Sequence, residues 1–355
     1  MGSLLQAYGL KKILEQMGHS VEFMDILKND EDYACLGDFK QQFYAERESS
    51  GIIGKLKKID RYTINRLKIK SKSTQQDVAF NLFRQEVLAT EKTSTEYDAC
   101  VIGSDEVFNC LNAGSWGFTS QLFGNVPQAK KVITYAASCG STKYRDLPEL
   151  VAKRIKQAFE NISAFSVRDK NTYEFVSKLT SKPITDNLDP VLIYDFYEEI
   201  GRVSMPEMPE HYCVVYSYYN RIHSKEEINA IRNFCREHQL TPVAVGAPQF
   251  WIKDYVVCSP FQCLKIFEKA DFVITDTFHG TIFASKYAAR FAILVRDSNR
   301  NKLMDLIDKL QIQAHLLADI EELEEKYNIM KDSVSFGKII KCEKERMRQY
   351  LDDNI

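Results

Sequence analysis

A chain of 355 residues, 45% hydrophobic and 27% charged, has room for two globular domains with sizeable cores. Its formal net charge of -2 gives no global attraction to nucleic acid or membrane, so any such surface must be a local patch. Nine cysteines, an odd number with no Cys-x-x-Cys pair, exclude a disulfide scaffold and a zinc ribbon; they read as reduced, mostly buried thiols.

The first residues carry Leu4, Leu5, Tyr8, Ile13, Leu14 and Met17 near helical spacing, so a helix is predicted from about residue 3. Gly18 ends it, and Val21 to Ile26 alternates like a strand. A helix-first start leads to the expectation that a further strand precedes it. No basic stretch precedes a hydrophobic run, and no apolar run approaches the ~20 residues of a membrane span. A cytoplasmic protein is therefore expected.

Residues 30–95 are polar, with Ile52, Leu56 and Ile59 at helical spacing. Eight basic residues and one acidic residue, Asp60, lie between Lys55 and Lys72. This reads first as a solvated helical insertion. The alternative is a peripheral membrane contact through 55–72 that serves a lipid-linked acceptor.

From residue 97 strands and helices alternate. Strands are predicted at 98–102, 131–135, 164–168 and near Ile184, with helices at 147–161 and 170–179, the second capped by Asp169. Pro206 and Pro209 mark a linker. The alternation resumes with strands at 212–218, 241–245, 271–275 and 291–295 and helices at 224–238, 261–269 and 281–289. The final 25 residues read as a charged peripheral helix. Such alternation predicts parallel sheets, hence an α/β fold of two doubly wound Rossmann-like domains facing a cleft. The expected boundaries are 1–200, including the insertion, and 201–355.

Candidate chemistry lies at the strand ends. Asp271 to Thr275 is a buried strand, Asp276 to Gly280 a turn, and Thr281 the expected helix start. Backbone N–H groups at a helix start favour anions, and His279 adds an acid or cation near neutral pH. Thr277, Gly280 and Thr281 would shape a donor site; the alternative is that His279 and Thr277 only cap the helix. Gly103, Ser104 and Asp105, then Ser138, then Arg168 each follow another strand. A guanidinium suits a phosphate or carboxylate, although an ion pair of Arg168 with Asp105 or Asp169 explains it equally. Arg296 and Arg300 are further candidate cations.

These motifs together resemble the polysaccharide pyruvyl transferase family. Gly103-Ser104-Asp105-Glu106-Val107-Phe108-Asn109 is similar to the family's Gly-Ser-Asp-Gln stretch, with Phe108 in place of Trp. Thr134 to Gly140, Ser166 to Asp169, Leu188-Asp189-Pro190 and Thr275 to Thr281 follow in the family's order, so the resemblance spans nearly the whole chain. It implies a fold like the GT-B glycosyltransferases. It also implies phosphoenolpyruvate as donor and co-substrate, a sugar or lipid-linked oligosaccharide as acceptor, and work in bacterial exopolysaccharide synthesis. No cofactor, metal or nucleic acid is expected, and the oligomeric state is left open. It implicates His279 and Arg168 in catalysis, with Asp105 a candidate for the acceptor hydroxyl. The competing expectations are a nucleotide-sugar glycosyltransferase on the same fold, or a glycan-binding relative without activity.

Overall fold

The computed structural model describes residues 1–27, 32, 62–89, 95–111, 118–219 and 221–355. Helices α1 (Gly2–Gln16) and α2 (Tyr62–Phe83) come before strand β1 (Tyr97–Gly103). Strand β2 (Ala129–Tyr135), helix α3 (Glu149–Phe159), strand β3 (Ile162–Val167), helix α4 (Lys170–Ser177) and strand β4 (Ile184–Asp186) follow. Short helices α5 (Pro190–Ile193) and α6 (Tyr197–Arg202) lead into β5 (Tyr212–Tyr216), α7 (Lys225–Glu237), β6 (Thr241–Val245) and β7 (Asp254–Val256). Then come α8 (Pro260–Lys269), β8 (Phe272–Thr275), α9 (Phe278–Tyr287), β9 (Phe291–Leu294) and α10 (Arg300–Leu310). Strand β10 (Leu316–Leu317) and helices α11 (Leu323–Tyr327) and α12 (Ser333–Asn354) end the chain.

The chain forms two compact units, each built on a parallel sheet. The unit of Leu14–Asp60, Thr90–Ile193 and Lys341–Ile355 holds the sheet β1-β2-β3-β4. Its core is aromatic: Phe108 stacks on Phe123 with centroids 5.0 Å apart, and Phe159 meets Phe165 edge-on at 4.9 Å. All four rings are essentially inaccessible, and truncating any one to alanine costs about 3–5 kcal/mol. Phe108, which departs from the family's Trp, is therefore a core residue.

The unit of Met1–Ile13, Arg61–Ala89 and Tyr194–Ile340 holds the six-stranded sheet β10-β9-β8-β5-β6-β7. Its order doubles back at β5, which pairs with β6 on one side and with β8 on the other. This reversal is the switch point of a Rossmann-like sheet, where crossovers depart in opposite directions and leave a crevice at the carboxyl ends of the strands.

The boundaries differ from a single cut at residue 200. The residues of α1 up to Ile13 belong with the second sheet, because Tyr8 packs against Phe261 at 5.0 Å and donates a hydrogen bond to the buried Glu199 at 2.7 Å. Lys341–Ile355 belongs with the first sheet, because Leu351 is buried and the Tyr350 hydroxyl donates to the Thr134 carbonyl at 2.8 Å.

The expected strand at Val21 to Ile26 is irregular chain instead. Gln121 braces its end in place of a neighbouring strand: Gln121 Nε2 donates to the Asp25 carbonyl, and Leu27 N, just beyond, donates to Gln121 Oε1. Within the polar insertion, Tyr62–Phe83 is helical, and Lys72 Nζ donates to the Tyr255 carbonyl at 2.8 Å. Ile52, Leu56, Ile59 and the basic residues 55–61 lie outside the described residues. The eight described cysteines are all free thiols. Among the described residues, no helix is long and apolar enough to cross a membrane.

Candidate functional site

In the unit of the six-stranded sheet, β8 is buried along its whole length between β5 and β9 and delivers Thr275 and Asp276 to the carboxyl edge. Helix α9 opens at Phe278, three residues earlier than the sequence reading placed it, because Thr277 is the N-cap. The Thr277 hydroxyl accepts from Gly280 N at 2.9 Å, and the Thr281 hydroxyl donates to the Thr277 carbonyl at 3.0 Å. The hydroxyls of Thr277 and Thr281 thus build the turn. His279 is helical, in the first turn of α9, where the dipole and N–H groups favour an anion.

Gly280 is required by proximity. A Cβ there would lie 2.0 Å from Thr275 Oγ1 and 2.7 Å from Tyr216 Cδ1. Gly280→Ala is expected to cost about 1–3 kcal/mol by overpacking, read as a lower denaturant midpoint. An unchanged midpoint would show that the turn relaxes freely. His279 meets a second glycine: a Cβ on Gly2 of α1 would fall 2.2 Å from the imidazole Cγ. The ring therefore lies flush against the bare α-carbon of Gly2, and Phe278 stands perpendicular to it at 5.6 Å.

Behind the turn is a buried charge cluster. Asp276 is inaccessible and receives Arg296 Nε at 3.2 Å; Arg296 also bonds Glu227 through Nη1. Burial raises the Asp276 carboxyl above its ordinary value, against the opposing pull of Ser217, Arg221 and Arg296. Asn299 Nδ2 donates to the Asp276 carbonyl at 2.7 Å. Arg296 is thus held between two carboxylates, while Arg300 is an exposed residue paired with Asp297 at 3.3 Å.

In the other unit, the ends of β1, β2 and β3 are locked together. Gly103 adopts φ 151°, and a Cβ there would sit 2.0 Å from the Tyr135 carbonyl oxygen. Ser104 Oγ donates to the Ala136 carbonyl at 3.3 Å. Asp105 is left-handed, φ 60°, which turns its half-exposed carboxylate off the strand. Ser138 is fully buried; its hydroxyl donates to Asp169 at 2.7 Å and accepts from Gly140 N at 3.1 Å. That hydroxyl is committed to the fold, with Asp169 also capping α4 through Thr172 N.

Arg168 has a side chain only 2% exposed. Its Nη1 donates to Asp189 Oδ2 at 2.9 Å, and Nη2 stands 3.7 Å from Asp105 Oδ1. Burial works to lower its pKa, and Asp189, Asp105, Asp169 and Glu106 overcome that, so the guanidinium is held above its ordinary value. The principal partner is Asp189, which the sequence reading did not pair with Arg168. The signal was present in Leu188-Asp189-Pro190, where an acidic residue follows a strand in the same way as the arginine does.

The structure thus gathers Thr277, His279, Gly280 and Thr281 at one strand end, and Gly103, Ser104, Asp105, Ser138 and Arg168 at another group of strand ends. Sequence reasoning missed Arg221, which donates from Nη1 to the Asp276 carbonyl at 3.2 Å. Residues 1–298 match the family model described as polysaccharide pyruvyl transferase. No curated protein sequence matches the chain.

Proposed function

Because the chain belongs to the polysaccharide pyruvyl transferase family and is thereby a transferase, we propose that it moves a pyruvyl group from phosphoenolpyruvate to two hydroxyls of a sugar, forming a ketal. The observation that supports this most is the turn at β8. There a histidine stands in the first turn of a helix at the switch point of a parallel sheet.

The chemistry asks for one proton at the enol methylene carbon of the donor. Protonation turns that carbon into a methyl group and leaves an oxocarbenium-like centre at C2. One sugar hydroxyl attacks C2, the C2–O bond to phosphate breaks, and the second hydroxyl closes the ketal. The two hydroxyl protons balance the proton taken up at the methyl group and the one carried off by phosphate. His279 is assigned the proton donation, with its ring orientation fixed by Gly2 and Phe278. Asp105, half-exposed and turned off its strand, is assigned to the acceptor hydroxyl as hydrogen-bond acceptor or base. Arg168 holds Asp105 in place and supplies positive charge to the donor's anionic groups. The glycines and Thr277, Ser104, Ser138 and Thr281 shape the backbone around them.

The acceptor is placed among cell-surface polysaccharides or their lipid-linked precursors, with the enzyme in the bacterial cytoplasm at the inner face of the membrane. A ligand at 100 times its dissociation constant stabilises a protein by about 2.7 kcal/mol. Phosphoenolpyruvate is expected to raise the melting temperature accordingly and to release phosphate in the presence of a suitable glycan. Stabilisation by a nucleotide sugar but not by phosphoenolpyruvate would transfer the protein to glycosyl transfer. No response to either would make it a binding protein.

A further inference from the structure

We propose that Arg221 is the anion-binding residue of the six-stranded unit and contacts the phosphate or carboxylate of an enolpyruvate-type donor. The assignment of the donor rests on the pyruvyl-transfer reading above; the assignment of an anion does not.

Strands β5 and β8 flank the point where the order of the sheet reverses. Arg221 follows β5, and Asp276 to His279 follow β8, so both occupy the crevice side of the switch point. The guanidinium is tied to the turn that carries His279. Its Nη1 donates to the Asp276 carbonyl at 3.2 Å and lies 3.9 Å from the Asp276 carboxylate. Its plane is set by Tyr218, whose ring lies 4.5 Å from Cζ, and the Arg221 backbone N–H donates to the Tyr218 carbonyl at 3.2 Å.

An arginine has five N–H donors in a fixed fork. The hydrogen bond that fixes Arg221 uses Nη1, and the side chain keeps a quarter of its surface in solvent. The contrast with Arg296 is instructive. Both reach Asp276, but Arg296 also bonds the Glu227 carboxylate directly, so its charge is compensated within the cluster. Arg221 has the Asp276 carbonyl as its nearest partner, with the carboxylate at 3.9 Å. Asp276 thereby acts as the anchor that holds a cation three residues upstream of His279 in the turn. A cation and a proton donor on one strand edge match a small dianion whose carbon is to be protonated. Tyr218, 56% exposed, adds a flat wall on the same side.

The test is titration calorimetry of the full chain with inorganic phosphate and, separately, with phosphoenolpyruvate. Arg221→Gln is expected to weaken both affinities about 10- to 100-fold, the effect of losing a charge-assisted contact, with its melting temperature near that of the parent. Arg221→Lys should recover part of the loss, and Arg300→Gln should leave both affinities unchanged. Equal phosphate affinity in the parent and Arg221→Gln, or no phosphate binding to the parent, overturns the assignment whatever the catalytic activity. Phosphate binding that depends on Arg221, together with no binding or turnover of phosphoenolpyruvate, keeps the anion site and removes the pyruvyl-transfer reading instead.

Discussion

Arg168→Ala will lower the free energy of unfolding by about 3–5 kcal/mol, because it strands a carboxylate that has almost no access to water. The Asp189 side chain is 1% exposed, and its Oδ2 bonds Arg168 at 2.9 Å while Oδ1 accepts from Val191 N at 3.0 Å. An unpaired buried charge cannot be rehydrated without opening the fold. A domain with about 5–15 kcal/mol in total loses roughly a fifth or more of its stability to this one change. Urea denaturation is the measurement, and adding Asp189→Asn should restore part of the loss by removing the stranded charge. A midpoint unchanged in Arg168→Ala would mean that the pair is not needed for folding. The difference in burial between Arg168 and Asp105 separates structure from chemistry. Loss of activity in Arg168→Ala carries little meaning by itself, whereas Asp105→Asn does. Asp105 is 43% exposed and 3.7 Å from Arg168, a contact worth about 0–1 kcal/mol. Its variants should fold normally, so a fall in their turnover reports on the reaction.

His279→Ala is expected to reduce phosphate release from phosphoenolpyruvate by about 10²- to 10⁴-fold, the range for removing a positioned general acid. The loss should appear in kcat more than in KM, because the proton is needed only as the transition state forms. The stability cost should be small beside that of Arg168→Ala, since the imidazole is only partly buried. A variant with kcat within a few-fold of the parent would take the proton donation away from His279.

Strands β5 and β8 were legible in the sequence because they are short apolar runs in which every residue is inaccessible. Val21 to Ile26 instead alternates as a half-buried strand would, yet is no strand. Alternation reports two faces, and side chains such as Gln121 can satisfy the backbone in place of a ladder. The start of α9 was placed late because Thr277 competes with Gly280 as the boundary signal, and a threonine hydroxyl in reach of Gly280 N settles it. The candidate residues at strand ends could be named from the sequence, but the partner of Arg168 could not. Asp105, Asp169 and Asp189 are equivalent on paper, and only the parallel pairing of β3 with β4 sets Asp189 beside the guanidinium. Arg221 belongs to no periodic pattern, so nothing short of the strand order exposes it.

The flush contact between Gly2 and His279 ties the first helix to the proposed proton donor by shape. Helix α1 contributes no strand to either sheet and is held by packing, with Leu4, Leu5, Tyr8, Leu10 and Ile13 all buried. An element with that many buried apolar side chains is costly to open locally. The proposed proton donor thus takes its orientation from a well-packed helix.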